Sequence, residues 1–311
     1  MKQDLIVTGK MYPPTLAALD AAYTTHKLFE TKDRDAMIAG VADRITAVAS
    51  SNSGGIDGAT MAKLPKLKTI SHFGVGYDTV DMDAAKKRGI AVTNTPDVLT
   101  DDVADIAIGL LLATVRRIPQ GDRYVREGKW LKGAMALTDT IQGKSLGVIG
   151  VGRIGRAIAK RAEAFNLKVS YQGPNKKSDV SWPYYPDLVA LAKDVDFLVA
   201  ACPGGEATRG IVSRAVIDAL GPKGVFVNIS RGTVADEVAL LEALQQGRLG
   251  GAGLDVFVDE PRVPEGFFAL ENVVLQPHVG SASHQTRTAM GQLVIDNLAA
   301  HFAGKPLLTP V

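Results

Sequence analysis

Arg231, Glu260 and His278 each stand a few residues after an apolar run, the three runs being Gly224–Asn228, Gly251–Leu254 and Val273–Leu275. In open parallel sheets, ligands and reacting groups gather outside the carboxyl ends of strands, so three such residues can converge on one point. An arginine, a carboxylate and a histidine suit the reduction of a ketone. Negative charge develops on the carbonyl oxygen, which then needs a fixed cation and a proton donor. Arg231 answers the first need and His278 the second, while Glu260 orients the ring and favours its charged form. Taken singly, each has a plainer reading: Arg231 as a structural loop cation, Glu260 as a solvated acid before Pro261, and His278 as a satisfied histidine after a buried strand. His284 is close enough in sequence to compete as the acid. His26, His72, His284 and His301 show no metal-ligand spacing, and no metal is expected.

Upstream of this set lies Gly150-Val151-Gly152-Arg153-Ile154-Gly155, between an apolar strand and an Ala/Arg-rich helix. That is the context in which such a fingerprint binds a dinucleotide: glycines allow the tight turn, close approach to the pyrophosphate and helix–strand packing, and the helix amino terminus faces the phosphates. The expected cofactor contacts here are Gly150, Gly152, Arg153, Ile154 and Gly155. A ligand-free glycine turn, or a site for another nucleotide, is the alternative. An NAD site usually presents Asp or Glu about 20 residues further on. This chain instead has Tyr171-Gln172-Gly173-Pro174-Asn175-Lys176-Lys177, with two lysines and no acid. A carboxylate about 4 Å from a 2′-phosphate repels it by roughly 1 to 4 kcal/mol, and a lysine reverses the sign. The expectation is NADPH held by Asn175 and Lys176, with NADH possible but weaker; the alternative is that the lysines are solvated loop charges.

These groups need a scaffold that repeats a strand and a crossover helix. Short β-branched runs alternate with helical patterns throughout, which places the chain in the α/β class. Leu5–Val7, Ile45–Val48, Leu67–Ile70 and Ile90–Val92 are expected as strands of a small doubly wound unit, with helices near Pro14–Tyr23, Asp33–Ala39 and Met82–Arg88. Thr93-Asn94-Thr95-Pro96 interrupts the pattern, and Thr100-Asp101-Asp102 caps a helix running to about Arg116. Six strands follow: Ser145–Ile149, Lys168–Tyr171, Asp196–Ala200, Gly224–Asn228, Gly251–Leu254 and Val273–Leu275. A final helix over about Ser283–Phe302 returns the chain to the first unit. The expected architecture is two doubly wound parallel-sheet domains, a Rossmann dinucleotide-binding domain (99–284) inserted in a smaller flavodoxin-like substrate domain (1–98 and 285–311).

The chain has 311 residues, 46% of them hydrophobic, with a net charge of +2 and no long basic run, so a nucleic-acid partner is not expected. The single cysteine, Cys202, excludes an internal disulfide and fits a reducing compartment. With no signal peptide in the first residues and an apolar stretch, Ile106–Val115, only about half the length a membrane span requires, a cytoplasmic protein is expected.

The motifs together resemble the D-2-hydroxyacid dehydrogenase family over nearly the whole chain, and within it the NADPH-dependent glyoxylate/hydroxypyruvate reductases. The resemblance implies that His278 is the acid/base, Glu260 its partner, and Arg231 the anchor for the substrate's carboxylate and carbonyl. Phe73-Gly74-Val75-Gly76-Tyr77-Asp78 is similar to the family's substrate loop, in which the amides of Val75 and Gly76 would hold the carboxylate. By the same resemblance Thr100 would lie near the nicotinamide, Asp255 would meet its carboxamide, and Cys202, Ile229 and Ser281 would line the cofactor. Residues 100–140 would form a homodimer arm, with Trp130 reaching the partner's substrate pocket or serving as an ordinary interface aromatic. Two positions depart from the family pattern: Pro174, where many NADPH-using relatives carry arginine, and Pro203-Gly204-Gly205, where a threonine-bearing loop is commoner. Other activities compatible with the resemblance are 2-ketogluconate-type sugar acid reduction and phosphoglycerate dehydrogenation. A dinucleotide-sensing corepressor belongs to a different class and would carry longer extra segments.

Overall fold

A computed structural model describes residues 2–311. The chain divides into two compact units, one running to Leu99 and resuming at Ser283, the other spanning Thr100–Ala282.

The first unit holds β1 (Asp4–Val7), α1 (Pro13–Ala22), β2 (Thr24–Lys27), α2 (Arg34–Val41), β3 (Ala47–Ser51), α3 (Gly58–Ala62), β4 (Thr69–Phe73), α4 (Met82–Lys87) and β5 (Ala91–Thr93). Its five strands are parallel in the order β2-β1-β3-β4-β5, the flavodoxin-like doubly wound order. Aspartates start three of the helices: Asp33, Asp57 and Asp81 accept from the amides of Ala36, Thr60 and Ala84. Ile6, Val48, Ile70 and Val92 from the strands pack with Leu64 and Leu67 in one buried cluster. The C-terminal helix (His284–Phe302) belongs to this unit and packs on β4 and α1. A Cβ on its Gly291 would fall 2.0 Å from the Thr15 hydroxyl, so that packing requires glycine.

Two elements escape the hydrophobic pattern. β2 reads Thr-Thr-His-Lys and is an edge strand with no fully buried residue, so alternation cannot mark it. α3 has five residues, too few for a helical period.

The second unit opens with α5 (Thr100–Val115) and α6 (Ile118–Arg126), followed by β6 (Ser145–Ile149), α7 (Arg153–Ala164), β7 (Lys168–Gln172), β8 (Tyr184–Tyr185), α8 (Leu188–Asp194), β9 (Phe197–Ala200), α9 (Arg214–Leu220), β10 (Val225–Asn228), α10 (Glu237–Gln245), β11 (Gly251–Leu254) and β12 (Val273–Leu275). The sheet is parallel, ordered β12-β11-β10-β9-β6-β7-β8. All six expected strands are present, and a seventh, β8, is added at the edge by pairing Tyr171 with Tyr184 and Gln172 with Tyr185. At two residues it is too short to leave a pattern. The strand order reverses between β6 and β9, the switch point where such sheets bind ligands. α5 lies tightly on β11, because a Cβ on Gly253 would come within 3.0 Å of Leu110. Among the described residues no helix is long and apolar enough to cross a membrane.

Candidate active site

Beyond β12 the chain reaches His278 with φ of 54°, a left-handed conformation uncommon for residues other than glycine. Its backbone N–H donates to the Asp255 carbonyl at 2.8 Å. The Asp255 carboxylate, 1% exposed, accepts from the amides of Val279 and Gly280 at 2.7 and 2.8 Å. Burial pushes this carboxyl up, opposed by those two donors and by the charge of His278. Asp255 thereby braces the turn that carries the histidine.

The His278 Nδ1 lies 2.7 Å from Glu260 Oε2, and Glu260 Oε1 accepts from the Phe257 amide at 3.1 Å. Burial pushes the Glu260 carboxyl up, but the hydrogen bond and charge of His278, the Phe257 amide and the charge of Arg231 outweigh it and hold the group below its ordinary value. Glu260 is therefore ionised at neutral pH. An ionised carboxylate accepts only, so Nδ1 carries a proton and Nε2 is the nitrogen available to a reacting oxygen.

Arg231 follows β10. Its Nη1 donates to the Ser230 carbonyl at 2.9 Å, and its own carbonyl accepts from Asn228 Nδ2 at 2.9 Å. A Cβ on the next residue, Gly232, would lie 1.9 Å from the Phe257 carbonyl carbon. Glycine there lets the exits of β10 and β11 touch, which brings Arg231 within electrostatic reach of Glu260. Sequence reasoning assigned no part to Asn228, Gly232 or the Phe257 amide. Gly232, directly after Arg231 in the chain, is the one readable signal.

His284, the competing histidine, opens the C-terminal helix and is exposed. Its Nδ1 engages the Tyr12 hydroxyl at 3.1 Å, and it has no carboxylate partner among the described residues.

The glycine turn after β6 separates into three roles. Gly150 has φ of 87°, and a Cβ there would fall 2.8 Å from the Cys202 Cα. A Cβ on Gly155 would lie 2.0 Å from the Gly150 carbonyl oxygen, so close packing of α7 on β6 demands glycine. A Cβ on Gly152 would meet nothing within 4 Å. The fold itself does not require that glycine; its bareness keeps open space in front of α7. Gly152 caps α7 without a side-chain hydrogen bond, whereas Asp187 and Asp236 cap α8 and α10 through theirs. An uncapped helix start facing open space fits a pyrophosphate. Arg153 and Ile154 are the first residues of that helix. Cys202 and Ile229 are buried nearby in the same sheet's loops, and the Ser230 hydroxyl donates to the Cys202 carbonyl. Thr100 begins α5, and both it and Ser281 are half-buried.

The lysine-bearing loop after β7 is exposed but braced from below. The Lys177 amide donates to the hydroxyl of the fully buried Tyr171 at 2.8 Å, and the Tyr184 hydroxyl donates to the Gly173 carbonyl at 3.1 Å. Asn175 and Lys176 sit between these two ties. Asp179, the first acid after the loop, is engaged by Arg156 at 2.9 Å. Trp130 occupies a 3-10 turn at Lys129–Lys132 and is 68% exposed. In the first unit, Val75 and Gly76 lie in the loop after β4.

The family model described as D-isomer specific 2-hydroxyacid dehydrogenase, NAD binding domain, matches residues 108–280. The glyoxylate/hydroxypyruvate reductase A of Arabidopsis thaliana is 53% identical over 293 residues, 94% of each chain. The hydroxyphenylpyruvate reductase of Plectranthus scutellarioides is 55% identical over 270 residues, 87% of this chain and 86% of its own. The NADPH-dependent glyoxylate/hydroxypyruvate reductase of Sinorhizobium meliloti, solved in complex with NADP and malonate, superposes with a TM-score of 0.93 at 44% identity, covering 100% of this chain and 97% of that one.

Proposed function

This chain belongs to the D-isomer specific 2-hydroxyacid dehydrogenase family, and from that premise we propose that it reduces glyoxylate or hydroxypyruvate to the 2-hydroxy acid, preferring NADPH. The observation that carries the reading is the 2.7 Å pair of His278 and Glu260 within reach of Arg231's charge. Bound NADPH supplies the hydride. Arg231 neutralises the substrate's carboxylate and the charge that grows on its carbonyl oxygen. His278 gives that oxygen its proton from Nε2, and Glu260 holds the ring and stabilises the imidazolium. The amides of Val75 and Gly76 take the substrate carboxylate. Gly152, Arg153 and Ile154 at the start of α7 would hold the pyrophosphate, Gly150 and Gly155 shaping the turn that presents them, and Thr100, Cys202, Ile229, Asp255 and Ser281 would lie beside the nicotinamide half. The test is a panel of glyoxylate, hydroxypyruvate, hydroxyphenylpyruvate and 2-ketogluconate, each with NADPH and NADH. Absence of turnover on every 2-oxo acid sinks the reading.

NADPH preference is supported by the acid-free loop after β7, with Asn175 and Lys176 at the 2′-phosphate. Lys176→Ala should raise the KM for NADPH about 3- to 10-fold, the loss of one partly exposed charge-assisted contact, and leave the KM for NADH unchanged. An equal change in both would show Lys176 to be a bystander.

The pH dependence follows from Glu260. Because folding holds its carboxyl low, Glu260 stays ionised as the partner of His278 through the neutral range and loses that charge as pH falls through the depressed value. Activity and thermal stability should both drop at strongly acid pH, and Glu260→Gln should remove this acid limb while lowering kcat about 10-fold or more. An acid limb that persists unchanged in Glu260→Gln contradicts the assignment.

A homodimer is supported by the apolar side chains left exposed between α6 and β6, among them Trp130, Leu131 and Leu137. Sedimentation of the purified protein as a monomer at micromolar concentration would remove that part of the proposal.

A further inference from the structure

His72 lies in β4 at 0% exposure. A buried imidazole needs a partner on each nitrogen, and this one has them. Its Nδ1 is 2.9 Å from the Ser50 hydroxyl in β3, and its Nε2 is 3.0 Å from Asn52 Oδ1 and 3.0 Å from the Gly76 carbonyl oxygen. Both groups at Nε2 are acceptors, so Nε2 carries the proton and donates to them, while Nδ1 accepts from Ser50. A Cβ on Gly74 would fall 2.9 Å from Nε2, so glycine there lets the ring come up against the loop.

The bond to Gly76 completes a series. The Gly74 carbonyl accepts from the Thr95 amide at 3.0 Å, and the Val75 carbonyl accepts from Asn94 Nδ2 at 2.9 Å. Three consecutive carbonyls are thus tied to the scaffold. In a planar trans peptide the N–H points opposite to the C=O of the preceding residue, so each tie also aims the next amide. Thr95 sets the amide of Val75, Asn94 that of Gly76, and His72 that of Tyr77. None of these three amides donates to another group among the described residues. Three consecutive N–H groups are thereby left available to an anion, the class of ligand that runs of backbone amides bind.

We infer that His72 is a positioning residue for the substrate carboxylate, and that the Tyr77 amide, aimed by it, is a third donor beside Val75 and Gly76. His72 touches no substrate; it acts through the Gly76–Tyr77 peptide. The inference rests on the reading that this loop holds the carboxylate.

Two near-isosteric variants test it. The amide of His72→Gln reaches as far as Nε2 and can still donate to Gly76, whereas that of His72→Asn reaches only the Ser50 side. His72→Asn should raise the KM for glyoxylate and the Ki of the carboxylate inhibitor oxamate by about 10-fold, with kcat and the KM for NADPH close to wild type, since an interaction equal in ground and transition states is removed. His72→Gln should return both constants to within about threefold of wild type. A folded His72→Asn enzyme with unchanged constants for glyoxylate and oxamate overturns the inference and leaves the loop's role standing. A uniform loss of activity in both variants, tracking a lower Tm, assigns His72 a structural role only and overturns it too. If the wild-type enzyme reduces uncharged glyoxal with the same KM as glyoxylate, the carboxylate reading itself falls, and the inference with it.

Discussion

Replacing His278 by alanine should lower kcat for 2-oxo acid reduction by about 10²- to 10⁴-fold, the range that a positioned general acid contributes. The KM for NADPH should stay near wild type, because the imidazole is assigned to the substrate oxygen and not to the dinucleotide. The size of the effect comes from commitment: Nδ1 is held at 2.7 Å by Glu260, the backbone is locked in a left-handed turn, and Asp255 pins the two following amides. His284→Ala is the matched control and should retain kcat, because that imidazole is hydrogen-bonded to Tyr12 and has no carboxylate behind it among the described residues. If His284→Ala is the damaged variant and His278→Ala the active one, the assignment is reversed.

Arg231→Ala should reduce kcat/KM by about 10³-fold or more, since one donor aimed at a developing oxyanion is worth about 10²–10³ in rate and the same side chain also anchors the carboxylate. Both kcat and KM should move. Arg231→Lys should recover little of the loss, because an ammonium cannot span two oxygens as the planar guanidinium does. The substitution has a second signature: Arg231 is one of the charges that hold Glu260 ionised, so its loss should move the acid limb of the pH profile upward. A kcat/KM within about threefold of wild type would show that the arginine serves the loop and not the reaction, given the size expected for such a donor.

Much of this molecule is legible from residue types in order. The parallel strands of the second unit announce themselves because strands buried on both faces are apolar runs, as β6, β9, β10, β11 and β12 largely are, while β7 is read by alternation, with Val169 and Tyr171 buried between polar neighbours. The glycine turn is legible because close backbone approach excludes every other residue, as Gly155 against Gly150 shows. Arg231, Glu260 and His278 could be picked out because charged groups directly after buried strands need a reason to be there. β2 and β8 are not legible in this way, since one is a polar edge and the other a single pair of tyrosines, neither carrying a periodicity.

The sequence by itself determined the α/β class, the two sheets and the candidates for chemistry, because burial and backbone conformation act on each residue locally. Only the tertiary structure decided how those candidates are set. That Glu260 faces Nδ1 and leaves Nε2 for the reaction, that Asp255 spends its carboxylate on the turn holding His278, and that Ser50 and Asn52 engage buried His72 beside the Gly74–Gly76 loop all depend on residues distant in sequence. Hydrogen bonds between such residues have no sequence period. Their direction is fixed only when the sheet brings the strand ends side by side.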